Sequence, residues 1–137
     1  MDNYTKPLPQ IDTLTRPFWE HAQKGRLVIQ CCDDCGDQHF PASPVCPKCN
    51  SDKQSWLQVS GRGTLESWVQ FHRAYWPGFK NELPYDVCLI RLVEGPLMVS
   101  NLVGGDANAK LGAPVEVMFD HVTEEVTLPK WRITTVK

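Results

Sequence analysis

Beyond Gly61-Arg62-Gly63 the chain settles into short apolar runs separated by turn residues: Thr64 to Tyr75, Tyr85 to Val93, Leu97 to Leu102, Pro114 to Asp120 and Thr127 to Thr134. Each has the length and the β-branched or aromatic content of a strand, and five of them within about seventy residues predict a small barrel or sandwich. Tyr85 to Val93 is apolar on both alternating faces, the pattern of a central strand. Gly104 to Lys110 reads as a loop with one helical turn between the third and fourth of these strands. Earlier in the chain, Arg26 to Gln30 and Ser55 to Ser60 read as two further strands, and the first fifteen residues as an extended, proline-punctuated arm. Between arm and strands, Thr15 to Gly25 predicts one short helix: Thr15 can cap it, Pro17 is tolerated in its first turn and Gly25 can end it. So short a helix cannot hold itself in water. Phe18, Trp19 and Ala22 must therefore pack on something, either the rest of this chain or another protein.

Four cysteines carry the most specific pattern. Cys32, Cys35, Cys46 and Cys49 form C-x2-C, a ten-residue spacer and C-x2-C. Two cysteines three apart reach one ion only if the backbone after them turns tightly. Gly36 and Asn50 follow the two pairs, and these residue types tolerate positive φ best. Pro47 pre-sets φ inside the second turn. Four thiolates suit Zn²⁺ without redox or geometric demands, and iron in a rubredoxin-like site is the other ion that tetrahedral sulfur suits. Cys31 falls outside this register and reads as a bystander, and His39, inside the spacer, as polar surface. Disulfides would need an oxidising compartment. Met1 to Gln10 lacks the apolar core of a secretory signal, so cytoplasm, and metal over disulfide, is the expectation. No run approaches the length of a membrane span.

At 137 residues the chain can bury one moderate core, or a small core with a metal-stapled module. Its 14 basic against 16 acidic side chains give no polyanion-binding footprint. That weighs against the rival reading of a single-stranded nucleic-acid binder, the common use of zinc ribbons and β-barrels with stacking aromatics. Between Cys31 and Lys53 the acids Asp33, Asp34, Asp37 and Asp52 outnumber Lys48 and Lys53. Independent catalysis would need an activated nucleophile. Cys88 lies mid-strand, where a free cysteine is usually a small hydrophobe, and His21, His72 and His121 stand apart from any nucleophile motif. A site closed by four cysteines leaves no position for an activated water.

Phe71 to Lys80 is too aromatic for a solvated loop. Tyr75, Trp76 and Phe79, flanked by Arg73 and Lys80, suit a partner interface, with Arg73 and Lys80 also able to meet phosphates. The bland reading is that these rings cover the open end of the barrel.

Phe18-Trp19 before Gly25-Arg26-Leu27, Cys32-Asp33-Asp34-Cys35-Gly36, Phe40-Pro41, Pro44-Val45-Cys46-Pro47-Lys48-Cys49, Gly61-Arg62-Gly63-Thr64, Pro84-Tyr85, Glu94-Gly95 and Gly112-Ala113-Pro114-Val115 occur in this order. From about Phe18 to Trp131 the chain resembles the zinc-ribbon, OB-fold proteins of acyl-CoA metabolism, long catalogued as a domain of unknown function. The resemblance implies a mainly β protein with a short N-terminal helix, a rubredoxin-like zinc ribbon and a five-stranded OB-fold barrel, divided as 1–25, 26–60 and 61–137. It further implies a non-catalytic accessory subunit that binds a thiolase-like enzyme making or breaking carbon–carbon bonds on CoA thioesters, or transferring acyl groups. In such a hetero-oligomer Trp19, Tyr75, Trp76 and Phe79 would face the partner, and Arg73 and Lys80 the CoA phosphates.

Overall fold

The structure, a computed structural model, describes residues 6–103 and 109–134. The expected helical turn in Gly104 to Lys110 therefore lies largely outside the described residues. The expected helix is present as α1 (Arg16–Gln23), with Phe18 and Ala22 buried on its inner face. Thr15 stands at its N-cap but does not cap it with its side chain. Instead Asp12 Oδ1 accepts from both the Thr15 amide (2.9 Å) and its hydroxyl (3.0 Å), closing the turn that feeds the helix. Those donors hold the Asp12 carboxyl below its ordinary value. Gly25, at φ 75°, ends the helix, its N–H donating to the Ala22 carbonyl (3.0 Å) while the Arg26 N–H reaches that of His21 (2.9 Å).

A three-stranded antiparallel sheet follows, built from β1 (Val28–Cys32), β2 (Gln38–His39) and β3 (Gln54–Gln58) in the order β2-β1-β3. β1 starts later than the sequence predicts and runs into the first metal-type cysteine, because its ladder with β3 continues through Cys31 opposite Ser55 and Cys32 opposite Gln54. β2, only two residues long, carries no periodicity to read.

The five remaining strands, β4 (Arg62–Phe71), β5 (Tyr85–Leu92), β6 (Leu97–Leu102), β7 (Pro114–His121) and β8 (Thr127–Ile133), close into a barrel in the order β4-β5-β6-β8-β7. All pairings are antiparallel except β6 with β8, which meet in parallel at Leu102 opposite Trp131. This is the OB-like barrel the sequence implies, with β5 central between β4 and β6. β4 ends at Phe71, whose rung with Tyr85 is the last. The rest of the predicted strand turns away into a 3-10 helix at Pro77–Glu82.

Trp131, Leu65, Ile90 and Val115 fill the barrel with 1% exposure or less. The same apolar cluster continues through Phe18, Leu27, Val28, Ile29 and Val59, so helix, ribbon and barrel share one core. That settles where the helix packs: its inner face is covered by this chain. Among the described residues no helix is long and apolar enough to cross a membrane.

Closure is tightest at Gly63. A Cβ there would stand 2.4 Å from the Arg91 carbonyl oxygen and 2.8 Å from Ile90 Cγ2. Gly63→Ala is accordingly expected to cost about 1–3 kcal/mol through forced separation of β4 from β5, read as a lower denaturant midpoint at unchanged slope. An unaltered midpoint would show that β4 yields freely.

Candidate metal centre

β1 delivers Cys32 to the start of a tight turn, and the second turn repeats its plan. In the first, the Gly36 N–H donates to the Cys32 carbonyl (2.9 Å) and the Cys35 N–H points at the Cys32 sulfur (3.5 Å). In the second, the Asn50 N–H donates to the Cys46 carbonyl (2.8 Å) and the Lys48 N–H points at the Cys46 sulfur (3.3 Å). Gly36 and Asn50 take the positive φ the spacing requires, 77° and 65°. The two turns face each other with Cys32 Sγ 3.6 Å from Cys49 Sγ and Cys35 Sγ 3.6 Å from Cys46 Sγ. All four sulfurs lie within 4.8 Å of one another. Cys32 and Cys46 are buried, Cys35 and Cys49 exposed.

Four thiols this close cannot all ionise unaided. The Cys35 amide lowers the Cys32 thiol to about 7. The amide of Asp37 favours a Cys35 thiolate, yet local desolvation of the sulfur and the neighbouring thiols Cys46, Cys49 and Cys32 outweigh it and push that thiol up to about 12. A bound dication relieves this conflict, and four sulfurs converging at tetrahedral spacing suit zinc.

Around the sulfurs lies a polar frame that sequence reasoning missed. His39 is buried rather than surface: Nε2 meets Gln30 Oε1 (3.1 Å) and Nδ1 meets Asp37 Oδ2 (3.2 Å), while Gln30 Oε1 also accepts from the Ser43 N–H (2.7 Å). Asp33 accepts from the Ser55 hydroxyl (2.6 Å) and Asp34 from that of Ser51, so two of the ribbon's acids tie its turns to the chain leaving it. Cys31 stays outside the cluster, its sulfur 3.8 Å from the Gly36 carbonyl. The remaining histidines are in part accounted for locally: His21 Nδ1 accepts from Arg26 Nε (3.1 Å) and His121 Nδ1 meets the Thr127 hydroxyl (2.7 Å), while His72 is exposed. Cys88 is 1% exposed, and burial pushes its thiol up to about 12.

The aromatic segment divides in two. Phe71 and Phe79 stack on opposite sides of Tyr85 at 5.1 and 4.8 Å, which covers part of the barrel rim. Tyr75 and Trp76 project, 69% and 49% exposed. Arg73 lies over the Tyr75 ring at 5.1 Å, and Lys80 is exposed on the 3-10 helix. Trp19 is only partly buried, edge-on to Phe18 at 4.9 Å, beside a groove it shares with Phe40, Met98 and Val99. Tyr75 and Trp76 do not line the groove beside Trp19.

Fold and thiol cluster together define a zinc-ribbon protein whose ribbon is fused to an OB-fold barrel. Residues 19–53 match the ChsH2 rubredoxin-like zinc ribbon domain and residues 56–120 the ChsH2 C-terminal OB-fold domain. A DUF35 domain-containing scaffold protein of Methanothermobacter thermautotrophicus is 33% identical over 82% of this chain and 86% of its own length. The chain belongs to this DUF35 family. A probable enoyl-CoA hydratase alpha subunit of Thermomonospora curvata is 35% identical over 93% of this chain, which spans only 40% of that relative. A solved structure, named Ltp2-ChsH2(DUF35) aldolase, superposes with a TM-score of 0.82 at 33% identity, covering 93% of this chain and all of the matched one. A DUF35 protein of Sulfolobus solfataricus, 17% identical with a TM-score of 0.63, shares the fold.

Two outcomes follow from this geometry. Cys46→Ser is expected to lose zinc and to melt at lower temperature, because metal binding and folding are coupled in small ribbons; zinc content and melting both unchanged would remove the assignment. The raised Cys88 thiol keeps its proton in the folded chain while an unfolded chain releases it near the ordinary value of 9.0. Stability should thus fall as pH rises from about 9 towards 12. The fall should be shallower in Cys88→Ala, and parallel curves would count against a buried thiol.

Proposed function

We propose that this chain is a non-catalytic, zinc-stabilised accessory subunit of a thiolase-like enzyme that forms or cleaves carbon–carbon bonds on acyl-CoA substrates or transfers acyl groups. The observation that carries this is the full-length match, at 33% identity, to the DUF35 chain of an Ltp2-ChsH2 aldolase. The hydratase alpha subunits among its relatives, including that of 3-oxo-4,17-pregnadiene-20-carboxyl-CoA in Mycobacterium tuberculosis, support an acyl-CoA setting.

In this reading Cys32, Cys35, Cys46 and Cys49 hold a structural Zn²⁺ that fixes the ribbon, in the reducing cytoplasm that free thiols require. Tyr75 and Trp76 contact the partner, helped by Trp19 and Phe79. Exposed aromatics of this size are the residues on which interfaces depend most. Arg73 and Lys80 reach the phosphates of CoA at the edge of the joint surface. Cys88, the one cysteine outside the ribbon, is buried and held protonated, which favours a partner-borne nucleophile.

The tagged chain purified from its own cells at low salt should carry zinc and a stoichiometric thiolase-like enzyme. Replacing Tyr75 and Trp76 together by alanine should weaken that complex at least tenfold, an effect of ordinary size for central aromatics, while zinc content and melting stay as they were. Unchanged assembly would refute the interface, and elution with nucleic acid in place of enzyme would install the nucleic-acid reading.

A further inference from the structure

A groove of 620 Å³ opens where the arm and the 3-10 helix meet the ends of β5, β6 and β8. Its floor holds Asp86, a carboxylate in strand phase with the buried Cys88, Ile90 and Leu92 and only 7% exposed. Gln70 Nε2 donates to Asp86 Oδ1 at 3.2 Å, and Asn101 Nδ2 to the Asp86 carbonyl at 3.1 Å. The two lysines at the groove are each engaged with another acid, Lys6 with Glu82 at 2.6 Å and Lys130 with Asp120 at 2.7 Å. Among the described residues, Asp86 is thus answered at hydrogen-bond distance by a neutral amide alone, although a carboxylate drawn into the protein is costly to leave without a cation.

One wall of the groove is aromatic. Phe79 and Tyr85 stack at 4.8 Å, and the Lys6 ammonium lies 5.5 Å from the Phe79 centroid. Lys6 already lies over the Phe79 ring, and Phe71 and Phe79 stack on Tyr85, so the place left for a second cation is at the Asp86 carboxylate itself. A guanidinium fits best, since its planar fork pairs with one carboxylate through two N–H groups.

We propose that this groove receives an arginine side chain of the partner polypeptide, paired with Asp86 beside the Phe79 and Tyr85 rings. The proposal rests on the docking reading above and names the partner group that this end of the barrel recognises. Charge complementarity carries it.

N-acetylarginine methylamide titrated into the zinc-loaded full chain should give saturable amide shifts at Gln70, Tyr85, Asp86 and Asn101. The neutral citrulline analogue should bind at least tenfold more weakly, and so should arginine to Asp86→Asn, which keeps the side-chain size. Absence of saturable shifts, or equal titration by arginine and citrulline in the wild-type chain, would overturn the site, and that comparison stands even if Asp86→Asn does not fold. In the purified enzyme complex, a folded Asp86→Asn should weaken association at least tenfold. Wild-type assembly with no loss in the variant would overturn the partner as the source of the cation and leave the docking reading intact. Failure of the wild-type chain to assemble would instead overturn the docking reading, and with it the partner as that source, whatever the probe binds.

Discussion

Convergence of four sulfurs is the constraint on which the ribbon depends. A sheet with one strand of two residues and two of five cannot hold itself by its ladders. Two mirrored turns, each directing amides at sulfur, bring Cys32 and Cys35 to Cys46 and Cys49 and close the sheet across its loops. The acids of the ribbon, which by count alone look like a repulsive surface, are in part acceptors in that closure: Asp33 and Asp34 fasten the first turn to Ser55 and Ser51, and Asp37 holds His39 against Gln30.

The start of the ribbon contributes Leu27, Val28 and Ile29 to the apolar interior. These meet Phe18 from the helix and the interior of the barrel in one cluster. The metal and the barrel are therefore linked through packing. The projecting Tyr75 and Trp76 stand beyond the far end of β4 from Gly63, on the barrel that this core supports.

Much of this was legible from sequence because the signals are local. The cysteine spacing, the positive-φ residues Gly36 and Asn50, and the two-sided apolar run of Tyr85 to Val93 each lie within a few residues of what they determine. What escaped is non-local or too short to have a period. His39 is buried because β2 places it opposite Gln30, a pairing no window around His39 reveals. Thr15 looked like a helix cap, but Asp12 competes for its hydroxyl. β4 looked longer than it is because the aromatic residues after Phe71 have strand-like composition, whereas their rings are used to stack on Tyr85 and to project. Asp86 did leave a trace, as a charge in the otherwise apolar inward phase of β5, but only the closed barrel shows that among the described residues no lysine pairs with it.

The shared core also decides where this protein can be divided. A cut near Val59 to Gly61 looks natural on a diagram of ribbon and barrel, yet it would separate Ile29 and Val59 from Leu65 and Trp131 and leave two greasy faces in place of one interior. Helix, ribbon and barrel form an indivisible block. Two relatives much longer than this chain match 93% and 85% of it, spanning ribbon and barrel together.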